Sequence, residues 1–277
     1  LGTTRTHLEE KFGSTLDKIE EVFDELIKLG MLVPVRHDDM TDLEQKRKEY
    51  IHPPGLETLF IIATDSCNLG CKYCFIKNNM PEDYSCSHMK FPVAKEAIDM
   101  FFHNVSKNPP EYDKRMKWIF FYGGEPLLNF DLIRQSVEYI EEAHAKQIKE
   151  LGHRFKIMVI TNGTMVTEEI AKYLGSKERI TVVISLDGPK DVHDDQRPWN
   201  NGRGSFDDAI RGYKLLKEVG KVKNVGVSTT LAEHNIDRLE EVRELQREYD
   251  FDSLTLNLLL DTEEQAVSME YMQKASQ

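Results

Sequence analysis

No run of about eighteen apolar residues occurs in this chain, which leaves no candidate for a membrane-spanning helix. Basic charge is also short: 36 lysines and arginines stand against 48 aspartates and glutamates, a balance of −12. A domain that wraps a phosphate backbone is usually basic, so nucleic acid is not an expected partner, and neither is a membrane. Cysteine is scarce, with four in 277 residues, and three of them sit close together. A disulfide framework would spread its cysteines along the chain. So tight a cluster reads as a metal site in a reducing compartment. No repeat at a fixed period is evident. No signal peptide is visible, and a cytoplasmic protein is the expectation.

What the chain does have is enough apolar residue, 40 %, for a large domain and a small one. It begins at Leu1 rather than Met and ends at Gln277 without an obvious terminal element, as a piece of a longer protein would. Residues 1–55 form the small part. Ser14 or Thr15 opens a helix whose apolar face is Leu16, Ile19, Val22, Phe23, Leu26 and Ile27, and Gly30 stops it. Met31 to Val35 reads as a short strand or wing, and a polar linker runs to Pro53-Pro54-Gly55.

From 56 to 277 the pattern changes to alternating strands and helices. Strands are expected over 59–64, 117–122, 155–161, 180–186, 223–230 and 253–259, as the apolar, β-branched runs of parallel strands buried on both faces. Helices are expected over 92–103, 130–150, 168–174, 206–219 and 236–248. Ser205 with Asp208 forms a capping box, Gly220 a stop and Asn235 a cap. The alternation implies an α/β fold with right-handed crossovers and a parallel sheet, open or closed into a partial barrel. Ligands of such folds gather at the C-terminal ends of the strands.

The cysteine cluster, Cys67-Asn68-Leu69-Gly70-Cys71-Lys72-Tyr73-Cys74, follows the first strand directly. Three thiolates can each hold one iron of a cuboidal cluster and leave a fourth open to a ligand. Gly70 is expected to let the loop fold tightly. The competing reading is a structural zinc site completed by Cys86 and His88, although zinc usually takes two separated ligand pairs. Tyr122-Gly123-Gly124-Glu125-Pro126 ends the second strand; paired glycines expose backbone to a close ligand, and Glu125 offers a carboxylate to an ammonium. Asn162 lies in a polar turn after the third strand. Ser185-Leu186-Asp187-Gly188-Pro189 ends the fourth, with His193 and Arg197 beyond it. Arg197 suits a carboxylate, whereas His193 reads as a histidine without a role. Thr229 and Thr230 end the fifth strand, and Asn257 lies in the sixth. Cys86 reads as a free thiol, and Phe101, Phe102, Trp118, Phe120 and Phe121 as core.

The Cys-x3-Cys-x2-Cys spacing with Tyr73 before the last cysteine resembles the signature of the radical S-adenosylmethionine (SAM) superfamily, over residues 57–260. The resemblance implies a partial (β/α)6 TIM-like barrel, a 4Fe–4S cluster on Cys67, Cys71 and Cys74, and SAM on the open iron. It implies SAM contacts from Tyr73, Gly123, Gly124, Glu125, Asn162, Ser185, Asp187, Arg197 and Thr229. It also implies a reductant such as flavodoxin or ferredoxin, and sensitivity to oxygen. The string from Ser185 to Arg197 is similar to one subgroup, the anaerobic sulfatase-maturating enzymes and the maturases of ribosomally made peptides. Members of that subgroup usually carry a cysteine-rich C-terminal extension (SPASM), which would begin beyond Gln277. The N-terminal helix and wing resemble the module that grips a leader peptide in peptide maturases. The expected function is hydrogen abstraction from a peptide or protein, first as thioether or other cross-link formation on a ribosomal peptide. Formylglycine formation on a sulfatase is second. A molybdenum-cofactor-type enzyme shares the cysteine loop and Gly-Gly-Glu-Pro, but Gly188-Pro189 with His193 and Arg197 argues against it. A non-catalytic metal-binding module would leave Gly-Gly-Glu-Pro unexplained.

Overall fold

The computed structural model describes residues 55–259 apart from 79, 82, 109–113 and 234, together with Glu44. A division falls between Pro54 and Gly55, and the fold described is that of the unit beginning at Gly55. The expected N-terminal helix, wing and linker lie outside the described residues.

Six parallel strands form one sheet in chain order: β1 (Thr58–Thr64), β2 (Lys117–Gly123), β3 (Phe155–Thr161), β4 (Ile180–Ser185), β5 (Val225–Leu231) and β6 (Leu254–Leu258). All six were legible as short β-branched and apolar runs. Chain-order parallel pairing with intervening helices is the partial barrel of the expected α/β class. The helices are α1 (Phe75–Asn78), α2 (Phe91–Val105), α3 (Phe130–Ala143), α4 (Ala145–Leu151), α5 (Glu168–Gly175), α6 (Lys190–Gln196), α7 (Phe206–Lys214) and α8 (Leu239–Tyr249). In α2, Pro92 occupies the first turn, and Ala94, Ile98, Phe101, Phe102 and Val105 recur at helical spacing to form its buried face.

Several expectations needed correction. The strands are not buried on both faces. In β2 and β3 buried and half-buried residues alternate strictly, because only the outer face meets the helices while the inner face borders a cavity. Phe101, Phe102 and Phe121 are therefore core, but Trp118 and Phe120 are half-buried on the inner face. The helix expected over 130–150 breaks at His144, whose ring stacks on Phe102 at 4.2 Å and whose Nε2 lies 2.9 Å from an Asp99 carboxylate oxygen. α7 ends at Lys214 and continues as a π-helical turn to Val219, closed by Gly220 N donating to Leu215 O. α8 begins at Leu239 after a 3-10 turn, Ile236–Arg238. The short α1 and α6 went unread, since each has too few turns to show periodicity.

Two capping assignments also fail. Ser205 Oγ makes no cap bond; it is turned to His193 and to Arg197 O, and Phe206 N is instead capped by Asp194 Oδ1 at 2.8 Å. Asp208 takes Trp199 Nε1 and Arg203 instead. Asn235 likewise makes no side-chain cap.

Candidate active site

The loop Cys67–Cys74 lies between β1 and α1 and is held by backbone bonds to the end of α6 and the segment after it. Gly70 N donates to Pro198 O (2.7 Å), Lys72 N to Gln196 O (3.0 Å) and Asn200 N to Asn68 O (3.2 Å). Asn200 Nδ2 adds a bond to Cys67 O at 3.0 Å. From the other side, Asn68 accepts from Asn162 Nδ2 (2.8 Å) and donates to Thr164 Oγ1 (2.7 Å), joining the loop to the end of β3. Asn68 and Asn200 carried no motif signal, because an amide that bonds a distant loop looks like any polar turn residue. A Cβ on Gly70 would meet only ordinary contacts, nearest Asn200 Oδ1 at 3.4 Å, so the loop's shape does not depend on that glycine.

The glycines that matter are Gly123 and Gly124. Gly123 has φ +134°, and a Cβ there would lie 2.2 Å from Thr64 O; one on Gly124 would lie 2.2 Å from Ser66 O. The ends of β1 and β2 touch backbone to backbone, and only glycine allows it. Gly124 N donates to Thr64 O and Glu125 N to Ser66 O, both at 2.8 Å, so these amides serve the fold.

A cavity of about 1250 Å³ opens at the C-terminal ends of the strands. Cys67, Cys71 and Cys74 all line it, with Tyr73, Gly123, Gly124, Asn162, Ser185 and Arg197. Ser228, Thr230, Thr255 and Asn257 add hydroxyl and amide groups from β5 and β6, and Phe60, Met158 and Ile160 an apolar wall from β1 and β3. Cys86 also lines it, whereas His88 pairs with Thr64 outside it.

Three expected residues sit behind the wall. Glu125 is fully buried; its carboxylate accepts from Thr161 Oγ1 and Asn162 N (each 2.7 Å) and Leu127 N (3.0 Å). Burial raises its pKa to about 7, and these neutral donors only partly oppose that. It joins β2 to β3 and does not face the cavity. Thr229 is buried with its hydroxyl on Leu186 O (2.7 Å); its neighbour Thr230 faces the cavity instead, as the strand's period of two dictates. Asp187 is also fully buried. Its Oδ2 accepts from Arg197 Nε at 2.8 Å and from the Tyr73 hydroxyl, and its Oδ1 from Thr230 N at 3.0 Å. Burial works to raise its pKa, but Arg197 and these bonds outweigh it and hold it below the ordinary value.

His193, expected to be idle, is buried and closes a circuit: Asp187 N donates to its Nδ1 (3.3 Å), and its Nε2 meets Ser205 Oγ (3.0 Å). Burial, then the Arg197 charge, lowers its pKa to about 4, so it is neutral at pH 7. Asn235 donates to Asp187 O (3.0 Å) and Thr230 O (2.8 Å), tying the ends of β4 and β5.

The donor set fits an iron–sulfur cluster. Burial, ahead of nearby negative charge, pushes the Cys67 thiol up to about 11, and burial also raises Cys71 despite Arg197. Thiolates here need a cationic partner, which bound iron supplies. Leu69 N donates to Cys67 Sγ and Lys77 N to Cys74 Sγ, each at 3.5 Å, as groups that stabilise metal-bound sulfur do. Among the described residues no three His, Cys, Asp or Glu converge to hold a single metal ion. Cys67, Cys71 and Cys74 share one wall of the cavity, and His88, a ligand of the alternative zinc site, does not line it.

The family model described as the Radical SAM superfamily matches residues 61–245. Uncharacterized protein MJ0907 of Methanocaldococcus jannaschii is 32 % identical over 207 residues, 74 % of this chain and 63 % of that protein. A cysteine-type anaerobic sulfatase-maturating enzyme of Clostridium novyi is 28 % identical, over 75 % of this chain and 52 % of its own length. The chain thus spans between half and two thirds of these relatives. Among solved structures, native anSMEcpe with bound AdoMet and Cp18Cys peptide aligns with a TM-score of 0.63 at 24 % identity, covering 78 % of this chain and 54 % of the other.

Proposed function

This chain belongs to the radical SAM superfamily, and from that premise we propose that it modifies a peptide or protein. The chemistry supplied by its two cofactors, a 4Fe–4S cluster and SAM, is one-electron reductive cleavage of SAM to a radical that takes a hydrogen atom from a substrate carbon. One observation carries the reading: the three cysteine thiols, the Gly123–Gly124 wall and Arg197 line one cavity at the strand ends.

The residues have separate tasks. Cys67, Cys71 and Cys74 would hold the cluster from one wall of the cavity. Arg197 offers guanidinium donors to the SAM carboxylate, and Gly123 and Gly124 shape the cavity wall by letting the ends of β1 and β2 meet. Ser185, Ser228, Thr230 and Asn257 present hydroxyl and amide groups suited to ribose. Phe60, Met158 and Ile160 give the cavity an apolar wall for the substrate. Glu125, Asp187 and Thr229 support the wall from behind. Peptide as the substrate class is supported by the size of the cavity and by the peptide in the sulfatase-type neighbour's structure.

Within that class, thioether or other cross-link formation on a ribosomal peptide is the first reading. Formylglycine formation is the second, favoured by the Clostridium novyi relative. The test is isotope transfer. Candidate peptides deuterated at cysteine or serine Cβ, or at backbone Cα, are incubated anaerobically with the reduced enzyme and SAM. Deuterium in 5′-deoxyadenosine and a peptide lighter by two hydrogens support cross-linking. Deuterium from Cβ of a sulfatase peptide, with aldehyde formation, supports the second reading. No deuterium from any peptide would remove the peptide class.

A further inference from the structure

The cavity contains a charged side chain held in an unusual way. Arg197 follows α6, and its side chain is 11 % exposed at the cavity wall. Only its inner nitrogen, Nε, is spent on Asp187. Among the described residues no acceptor takes its two terminal nitrogens, so the outer edge of the fork is left for an anion. The Tyr73 ring lies 5.2 Å from the guanidinium carbon, and the Tyr73 hydroxyl bonds the same Asp187 oxygen as Nε.

Arg197 is fixed at its main chain too. Ser205 Oγ donates to Arg197 O, His193 bonds Ser205, and Asp187 N donates to His193. The circuit returns to Asp187, so one residue holds the arginine by side chain and backbone. Asp187 is itself anchored by Asn235 and by Thr230 N. Tyr73 stands between Cys71 and Cys74, so the same carboxylate also holds the cysteine loop between its last two cysteines.

We propose that Asp187 is a positioning residue that touches neither cofactor: it aims the free edge of Arg197 at the SAM carboxylate and, through Tyr73, fixes that edge relative to the cluster loop. This rests on the radical SAM reading of the cavity. A buried ion pair is by itself weak evidence for stability, and here the pair accounts for an orientation. A carboxylate one methylene longer, or a neutral amide, leaves Arg197 present but misaimed.

The test uses anaerobic, cluster-loaded full chain and calorimetric titration with SAM and with decarboxylated SAM, which lacks the group Arg197 would hold. Asp187→Asn is expected to weaken SAM about tenfold, the scale of one charge-assisted hydrogen bond, with little change for the decarboxylated ligand. Should Asp187→Asn fail to load iron, Asp187→Glu carries the test: it keeps the buried charge, and the same loss of preference is expected with iron content unchanged. Tyr73→Phe keeps the ion pair but breaks the link to the loop; it should weaken the preference less than the Asp187 variants do and alter the electron paramagnetic resonance spectrum of the reduced cluster. Unchanged preference for SAM in the Asp187 variants would overturn the inference, as would equal losses toward both ligands. An unaltered Tyr73→Phe spectrum would overturn the link to the loop. Wild-type protein that binds no SAM would instead overturn the reading beneath it.

Discussion

The two faces of the sheet use the same kinds of residue for opposite ends. On the outer face Ile119, Phe121, Phe155 and Val159 are fully buried in the hydrophobic core. On the inner face, one residue away, Phe60 is 58 % exposed, stacked on Phe120 with ring centroids 4.7 Å apart. Phe60 and Phe121 are equally apolar, yet one closes a core and the other faces a cavity. The outer face therefore carries most of the stability, and the inner face borders the candidate site. A complete barrel would fill its interior with side chains; this partial barrel leaves the interior open and lines its upper rim with thiols, hydroxyls and one arginine.

The largest effect expected from separating the faces is functional. Replacing Cys67, Cys71 and Cys74 together by alanine should abolish iron loading and SAM cleavage and leave the circular dichroism spectrum intact, because none of the three belongs to the core cluster. Loss of the fold in that variant would break the separation.

On the outer face, Phe121→Ala should cost about 3–5 kcal/mol, the usual penalty for emptying an aromatic site in a packed core, read from urea denaturation. Glu125 and His193, both buried, pull stability in opposite directions with pH. The folded state raises Glu125 from 4.5 to about 7 and so favours its proton; that stabilisation is complete below about 4.5 and is lost as pH rises through 7. His193 falls from 6.5 to about 4, so the folded state resists its proton and stability is gained as pH rises from 4 to 6.5. Each is worth at most roughly 3 kcal/mol. Glu125→Gln should make stability climb more steeply with pH over this range than in wild type, and His193→Gln should make it climb less. Parallel pH curves for all three proteins would contradict the assigned burial. The smallest effect belongs to Phe60→Ala, which removes an exposed ring and should cost under about 1 kcal/mol, in contrast to Phe121→Ala.

The fold and the position of the candidate site at the strand ends were legible in sequence because both rest on local signals. Short β-branched runs marked every strand, and cysteine spacing, Gly-Gly-Glu-Pro and Ser-Leu-Asp-Gly-Pro each marked a strand end. What was not legible depends on direction. Glu125 and Asp187 belong to motifs and Thr229 to a strand end, but all three point behind the wall, and a sequence pattern records which residue is present, not which way it faces. Thr229 and Thr230 differ by one position and so by one face. His193 and Asn235 were underrated because their partners lie on other strands and loops. The break at His144 and the cap from Asp194 likewise come from tertiary contacts that outcompete local preference.

The most direct test of the account is anaerobic. The chain is reconstituted with iron and sulfide, reduced with dithionite and given SAM, and 5′-deoxyadenosine is quantified beside the triple cysteine variant. The account predicts 5′-deoxyadenosine from the wild type and none from the variant. A fully loaded wild-type cluster that yields no more 5′-deoxyadenosine than the variant would contradict it.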